Sequence, residues 1–361
     1  MAIAFERGHG GATSIRRFRP LHKRVSYFAV VCLIPVVLLA IGGVMGGAWI
    51  WAAWAYLTLF TLLMDQLTGL ATGPGAPDRE FPAADGLLLI LAAAHFGLLG
   101  VAIAALSGGF GHSALEKLVL FFSFGLFFGQ VSNSNAHELI HRSRAPLYHL
   151  GKWVFVSHLF GHHVSAHRLV HHRHVGTVQD PNSAPVGMGF YQFMPRAWWG
   201  SFIAGLHAEN RVRRAGEYSG VHPYFSYIVG GVTMLIAAGL IAGWGGVLAY
   251  IGLAGYATVQ LLLSDYVQHY GLRRQTLAGG KTQAVTQAHS WNAPQRFSSL
   301  LMLNAPRHSD HHAHPARPFP ALGLAHGVPT LPHSLAVMAV IALMPRRWRP
   351  IMDRQLAALE K

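Results

Sequence analysis

Six apolar runs dominate the chain up to residue 265, at about 26–45, 48–65, 85–107, 117–135, 224–243 and 246–265. Each is close to the roughly 20 residues that a helix rising 1.5 Å per residue needs to cross a hydrocarbon layer about 30 Å thick. Gly46-Gly47 and Gly245-Gly246 mark tight turns inside the two closely spaced pairs. A seventh apolar run, 333–344, is too short to span and predicts a re-entrant or interfacial helix. The segment 147–172 has an amphipathic pattern and predicts a helix lying at the membrane interface. Gly, Pro and Asn punctuate 175–223, which predicts loop and short helix. The pattern thus predicts an all-α integral membrane protein with six transmembrane helices and a helical cap. Its parts are a basic N-terminus (1–24), one membrane domain (25–345) with cap segments 137–222 and 267–330, and a tail (346–361).

Charge gives these spans a direction. Arg7, Arg16, Arg17, Arg19, Lys23 and Arg24 precede the first run, so the positive-inside rule puts the N-terminus in the cytoplasm. The run that follows exceeds the apolar core of a signal peptide and reads as a retained anchor. Alternation then brings spans four and six out on the cytoplasmic side, near residues 135 and 266, together with Arg346, Arg347 and Arg349. The net charge of +14 would suit a nucleic-acid binder, but the basic residues flank apolar segments and form no stripe. Only 12% of residues are charged, against about a quarter in an average soluble domain. The single cysteine, Cys32, lies in an apolar run and reads as a small buried hydrophobe. It can form no disulfide within the chain and cannot supply the thiolates of an iron–sulfur centre. Any electrons for redox chemistry must come from a partner.

Histidine changes the picture most. Of 24, 16 fall in two windows, 137–174 and 269–314, which the charge rule places on one face of the membrane. His137 and His141 in Asn-Ala-His-Glu-Leu-Ile-His are i and i+4 on a helix and share a face. Alone, His-Glu-x-x-His suggests a zinc protease with Glu138 as general base, but the chain carries far more histidine than one zinc needs. His167 and His171 share a face in the same way, and His172, about 100° further round, can reach a second metal. The segment His158–His163 repeats this spacing. The polar turn Gln179-Asp180-Pro181 after the downstream match favours His167, His171 and His172. His269 lies at the mouth of span six, just beyond its exit. His308, His311 and His312 again offer a spacing suited to two metals, with His314 as bystander. Glu138, Asp180 and Asp310 are candidates to orient a ligating imidazole or relay protons.

These motifs resemble a known family. His-Glu-Leu-Ile-His, His-Arg-Leu-Val-His-His, Asp-Tyr-Val-Gln-His-Tyr-Gly and Arg-His-Ser-Asp-His-His-Ala-His-Pro are similar, in order and spacing, to those of the membrane alkane 1-monooxygenases, relatives of fatty-acid desaturases and xylene monooxygenase. Gln179-Asp180-Pro181 and His289-Ser290-Trp291-Asn292 extend the match, which covers roughly 120–315. The resemblance implies a di-iron site held by His137, His141, His167, His171, His172, His269, His308, His311 and His312. It implies O2 as co-substrate, terminal hydroxylation of alkanes, and electrons from rubredoxin or ferredoxin with its reductase. It also implies residence in the bacterial inner membrane, with the site on the cytoplasmic side and substrate arriving from the lipid. Gln268 stands where the family usually has Glu, Asp265 where it often has Asn, and Ala305-Pro306 where it has Leu-Gln. Trp51, Trp54, Phe60 and Phe124 are candidate lining residues for a substrate channel. Other readings are a hydroxylase or desaturase of alkyl-aromatic or acyl substrates, a zinc protease, and a metal transporter, whose spans should carry more polar ligands than His95.

Overall fold

A computed structural model describes residues 22–73, 81–216 and 220–359. Most of the basic N-terminal segment, up to residue 21, therefore lies outside the described residues. Among the described residues the protein is helical, with isolated β-bridges and no strand. Five helices are long and apolar enough to cross a membrane. They belong to α1 (His22–Met45), α2 (Ala48–Leu67), α3 (Pro82–Leu106), α4 (Ala114–Ile140) and α8 (Pro223–His269). The other elements are α5 (Ala145–Ser157), α6 (163–174), α7 (Phe190–Arg214), α9 (Arg296–Leu301), α10 (His308–Ala313), α11 (Leu335–Ala342) and α12 (Pro345–Leu359).

The fifth and sixth predicted spans both fall within α8, which is not straight. Ala242 and Gly243 leave helical geometry, Gly243 at φ 60° and ψ −148°. That is nearly the conformation of Gly47 between α1 and α2, at φ 62° and ψ −139°. Positive φ costs glycine little, so both turns use it. The break lies a few residues before the predicted Gly245-Gly246. Gly246 serves packing instead: a Cβ there would lie 2.2 Å from the Ala238 carbonyl oxygen. Residues eight apart on a straight helix would be roughly 12 Å apart, so the chain doubles back. Both ends of α8 accordingly meet the cap. Tyr227 bonds Ser165 at 2.8 Å near the start, and His269 bonds His308 at 2.9 Å at the end.

Glycines let the cap-bearing helices approach. At Gly125 a Cβ would lie 2.1 Å from the Tyr256 ring, and at Gly129 2.2 Å from Gln260, so α4 and α8 pack along a small-residue face. Gly151 does the same for α5 against Ala136 and Leu139 of α4. At the opposite end, Ser113 and Glu116 form a capping box for α4, and Glu116 also accepts from the Gly47 amide at 3.0 Å.

Two stretches outside the predicted spans are more helical than expected. The stretch 175–223 contains the 25-residue α7. Its buried residues, Phe190, Phe193, Ala197, Ser201, Gly205 and Ala208, recur at helical spacing. Pro195, Gly200 and Gly205 conceal that face from a reading that treats them as breakers. The two glycines serve packing: a Cβ on Gly200 would meet Pro181 at 2.7 Å, and one on Gly205 the Tyr224 hydroxyl at 2.5 Å and the Ala166 backbone at 3.1 Å. Most of the tail forms α12, which buries Trp348 against Tyr266 and Tyr270. The short seventh run becomes the eight-residue α11.

Candidate metal centre

Four separate pieces of chain deliver nine imidazoles to one place. His137 and His141 come from the end of α4, His167, His171 and His172 from α6, His269 from the end of α8, and His308, His311 and His312 from α10. The supports are specific. Ser165 on α6 donates to Glu209 on α7 at 2.6 Å. The loop between α8 and α10 carries Trp291, whose backbone and indole N–H groups bond the carbonyls of Gln268 and Tyr270, each at 2.8 Å. Asn292 accepts from the Ser309 amide at 3.0 Å and so fixes the start of α10. The Gln268 side chain reaches the Ala305 carbonyl at 3.1 Å, tying α8 to the loop before α10.

The nine fall into two groups. His137, His141, His167, His172 and His311 form one; His171, His269, His308 and His312 form the other. Within each group the donor atoms all lie within 4.8 Å of one another. His167 and His171 do not share a group, contrary to the spacing rule. Residues His167–His171 form a π-helical turn, in which the His172 amide bonds the His167 carbonyl across five residues. That turn brings His172 to His167, with Nε2 atoms 2.9 Å apart, and turns His171 toward the other group. On α10 ordinary helical spacing holds: His308 and His312 pair with Nε2 atoms 3.0 Å apart, while His311 faces the first group.

This geometry fits metal ions. Nε2 to Nε2 distances of 3.1 Å for His141–His167, 3.2 Å for His172–His311 and 2.9 Å for His269–His308 point lone pairs at shared centres. The Nε2 atoms of His137 and His171 are buried and have no protein partner. Burial, reinforced by the neighbouring imidazoles, holds the pKa values of His141, His167, His172, His308, His311 and His312 well below the usual range. They are neutral, which is the metal-ligating form. His171 differs: burial pulls its pKa down, but the charge and hydrogen bond of Asp180 outweigh that and raise it. Asp180 accepts from His171 Nδ1 at 2.9 Å, leaving Nε2 to face the group. Among the described residues, neither group contains a carboxylate or thiolate. Two all-imidazole sites suit transition metals such as iron, and leave calcium or magnesium without oxygen ligands.

Known proteins resemble the segment that carries these histidines. The fatty acid desaturase family profile matches residues 113–341, which include all nine histidines. Alkane 1-monooxygenase 2 of Alcanivorax borkumensis is 29% identical over 93% of this chain and 91% of its own. Alkane 1-monooxygenase 1 of Pseudomonas aeruginosa is 30% identical over 85% of this chain and 84% of its own. The chain belongs to the alkane 1-monooxygenase family. Alkane 1-monooxygenase of Ectopseudomonas oleovorans, 33% identical over 67% of this chain and 61% of its own, is similar as well.

Against this alkane 1-monooxygenase frame, the other predicted residues separate. Asp180 touches an imidazole of the site, whereas Glu138 and Asp310 are engaged elsewhere. Glu138 pairs with Arg142 at 2.9 Å and accepts from the Phe319 amide at 3.0 Å. Asp310 takes His314, Arg317, Gln287 and the Gly323 amide, so it braces the loop beyond α10. Of the channel candidates, Trp51 and Phe60 are 46% and 40% exposed, and Phe60 packs on Tyr56 and Phe297. Trp54 is half-buried, edge-on to Trp51, and Phe124 is fully buried against Phe128. In the competing histidine match, His162 sits against Trp198 and Phe202, and His163 stacks beside Phe160 and His167. His158 points into the helix bundle beside His95. The sequence reading missed Asn182, which joins Asp265 at 2.7 Å and turns its backbone amide to Asp180 at 3.1 Å, linking α8 to the carboxylate behind His171. Asp265 stands at a position already noted as a departure from the family, which was the available signal.

Proposed function

We propose that the protein is a membrane di-iron monooxygenase that hydroxylates the terminal carbon of n-alkanes to 1-alkanols. The division of nine imidazoles into groups of five and four carries this reading. His137, His141, His167, His172 and His311 would hold one iron, and His171, His269, His308 and His312 the other. Bound iron would supply the reduction of O2 and the oxidation of a C–H bond, which offers no acid–base handle. The chain's own residues aim the imidazoles: Asp180 accepts the Nδ1 proton of His171, which would leave Nε2 to face the metal. The apolar bundle beneath the cap excludes water and admits a substrate that partitions into lipid.

The doubling back of α8 supports six crossings, with the site at the cytoplasmic face of the inner membrane. The basic tail beside the cap favours the same orientation. Electrons would come from rubredoxin or ferredoxin and its reductase. Two features support a small acidic donor. Cys32 is buried and bonds the carbonyls of Leu300 and Leu301, so it offers no redox group. A cavity of about 530 Å³ opens beside α6, lined by Arg173, His174, His207 and Arg211, immediately after His172. The zinc-protease alternative is disfavoured by Glu138, which is held by Arg142 and the Phe319 amide.

The test is to purify the protein, measure metal per chain, and supply a medium-chain alkane, O2 and a rubredoxin with its reductase. About two irons per chain and a 1-alkanol product are expected. Iron without an oxygenated alkane would send the substrate search to alkyl-aromatic or acyl compounds. Zinc as the sole metal would sink the reading.

A further inference from the structure

A second group of histidines lies inside the helix bundle, apart from the nine. His95 of α3 and His158, just past the end of α5, are both buried, with ring centroids 5.0 Å apart and edge-to-face. Phe128 of α4 packs on both, at 5.1 and 6.2 Å. Tyr250 and Thr258 of α8 tie this layer to the neighbouring helix through hydrogen bonds to the carbonyls of Ser157 and His158.

The hydrogen bonds here do not balance. Ser157 gives its hydroxyl proton to the Val154 carbonyl at 2.7 Å. It must therefore accept from His95 Nε2, 2.7 Å away, which fixes the tautomer of His95 and leaves Nδ1 a bare lone pair. Nδ1 has no protein partner, and neither ring nitrogen of His158 has one. A neutral imidazole at His158 offers one N–H and one lone pair. The site thus presents one donor and two acceptors in apolar surroundings, and buried groups left this way cost stability. A hydroxyl is the smallest group that donates and accepts at once.

We propose that His95 and His158 seat the hydroxyl of a substrate that carries one at the end remote from the reacting carbon: a medium-chain primary alcohol, which the enzyme converts to an α,ω-diol. The proposal rests on the hydroxylase reading above. Phe128, at the level of this site, lies nine residues before His137 on the same helix, roughly 13 Å along its axis. An extended carbon chain advances roughly 1.25 Å per bond, from a 1.52 Å bond at about 111°. About ten carbons therefore reach from the histidine pair to the metal centre. The step breaks a C–H bond of the far methyl group and forms a C–O bond to one atom of O2. The other atom leaves as water, using two electrons from the redox protein and two protons.

The experiment compares n-decane with 1-decanol, using the holoenzyme and its electron donor, and reads kcat/KM for 1-decanol formation and for 1,10-decanediol formation. Wild type is expected to make the diol. In His158→Leu the diol-to-alkanol ratio of kcat/KM should fall roughly ten-fold, the loss of about one hydrogen bond. His158→Asn, which keeps a donor and an acceptor, should recover part of it. His95→Leu provides a second reading of the same ratio should His158→Leu fail to fold. The proposal is overturned if wild type oxidises decane but makes no diol, if decanol is oxidised only at its hydroxyl-bearing carbon, or if the ratio is unchanged in the variants because the pair holds only water. Failure of wild type to oxidise either substrate would instead defeat the hydroxylase reading itself.

Discussion

Replacing Asp180 by alanine should loosen one metal and spare the other. The carboxylate accepts from His171 Nδ1 at 2.9 Å, from the Ser183 hydroxyl at 2.6 Å and from the Asn182 amide at 3.1 Å. His171 belongs to the four-histidine group, and the five-histidine group has no member bonded to Asp180 among the described residues. Loss of such a partner typically costs ten- to a hundred-fold in metal affinity, about 1.4–2.7 kcal/mol. Asp180→Ala should therefore release metal in two phases under chelator competition. One phase should match wild type and the other be weakened by that factor, with content falling from about two toward one per chain. Asp180→Asn, which retains an acceptor for His171, should lie between. Ser183→Ala is the control. Ser183 donates to Asp180 and accepts from the Gly176 amide at 2.8 Å, so its loss loosens the same turn without touching His171. If Ser183→Ala releases metal as readily as Asp180→Ala, the effect belongs to the turn, and the role given to the His171–Asp180 bond is wrong. Loss of both metals in parallel from Asp180→Ala would refute the division into separate groups.

Other predictions follow from the same geometry. His171→Ala should lower metal content measured by elemental analysis, while His162→Ala should not, since His162 packs against Trp198 and Phe202; the reverse result would show that the upstream match is the binding one. Gly125→Val forces atoms into the Tyr256 ring and should destabilise the detergent-solubilised protein by about 1–3 kcal/mol in thermal unfolding, with Gly125→Ala milder. Phe124→Ala, at a fully buried ring, should cost roughly 3 kcal/mol or more, whereas Trp51→Ala on the outer side of α2 should cost under about 1 kcal/mol and leave the chain-length profile of products unchanged.

Where the sequence spoke clearly, a single physical requirement left few alternatives. A run of about twenty apolar residues has one good use, so the first four long apolar helices were legible to within a few residues. The helix α7 was not, because its apolar face is built from Phe190, Phe193, Ala197 and Gly205 around Pro195, and a glycine needed for close packing looks the same as one needed for a turn. The two competing histidine matches were indistinguishable by spacing alone. Backbone conformation separates them: Leu159 takes φ 54°, which ends α5, so His158 and His162 are not on one helix and cannot share a face.

The assignment of histidines to groups was beyond spacing for a deeper reason. Counting i and i+4 assumes an α-helix, and the assumption holds for His137 with His141 and for His308 with His312. In α6 the chain inserts one residue per turn just where the ligands are, so the partner of His167 becomes His172. An α-helical turn would instead bring His171 to His167. The π turn sends His171 to the side where Asp180 and His269 wait, and one helix thereby serves two centres with three histidines in six residues. Nothing in His-Arg-Leu-Val-His-His records this. Contacts from outside the helix flank it: the Tyr227 hydroxyl and Glu209 hold Ser165 two residues before the π turn, and Asp180 holds His171 at its end. The bulge is therefore held from both sides by the assembled cap, through Ser165 before it and His171 at its end.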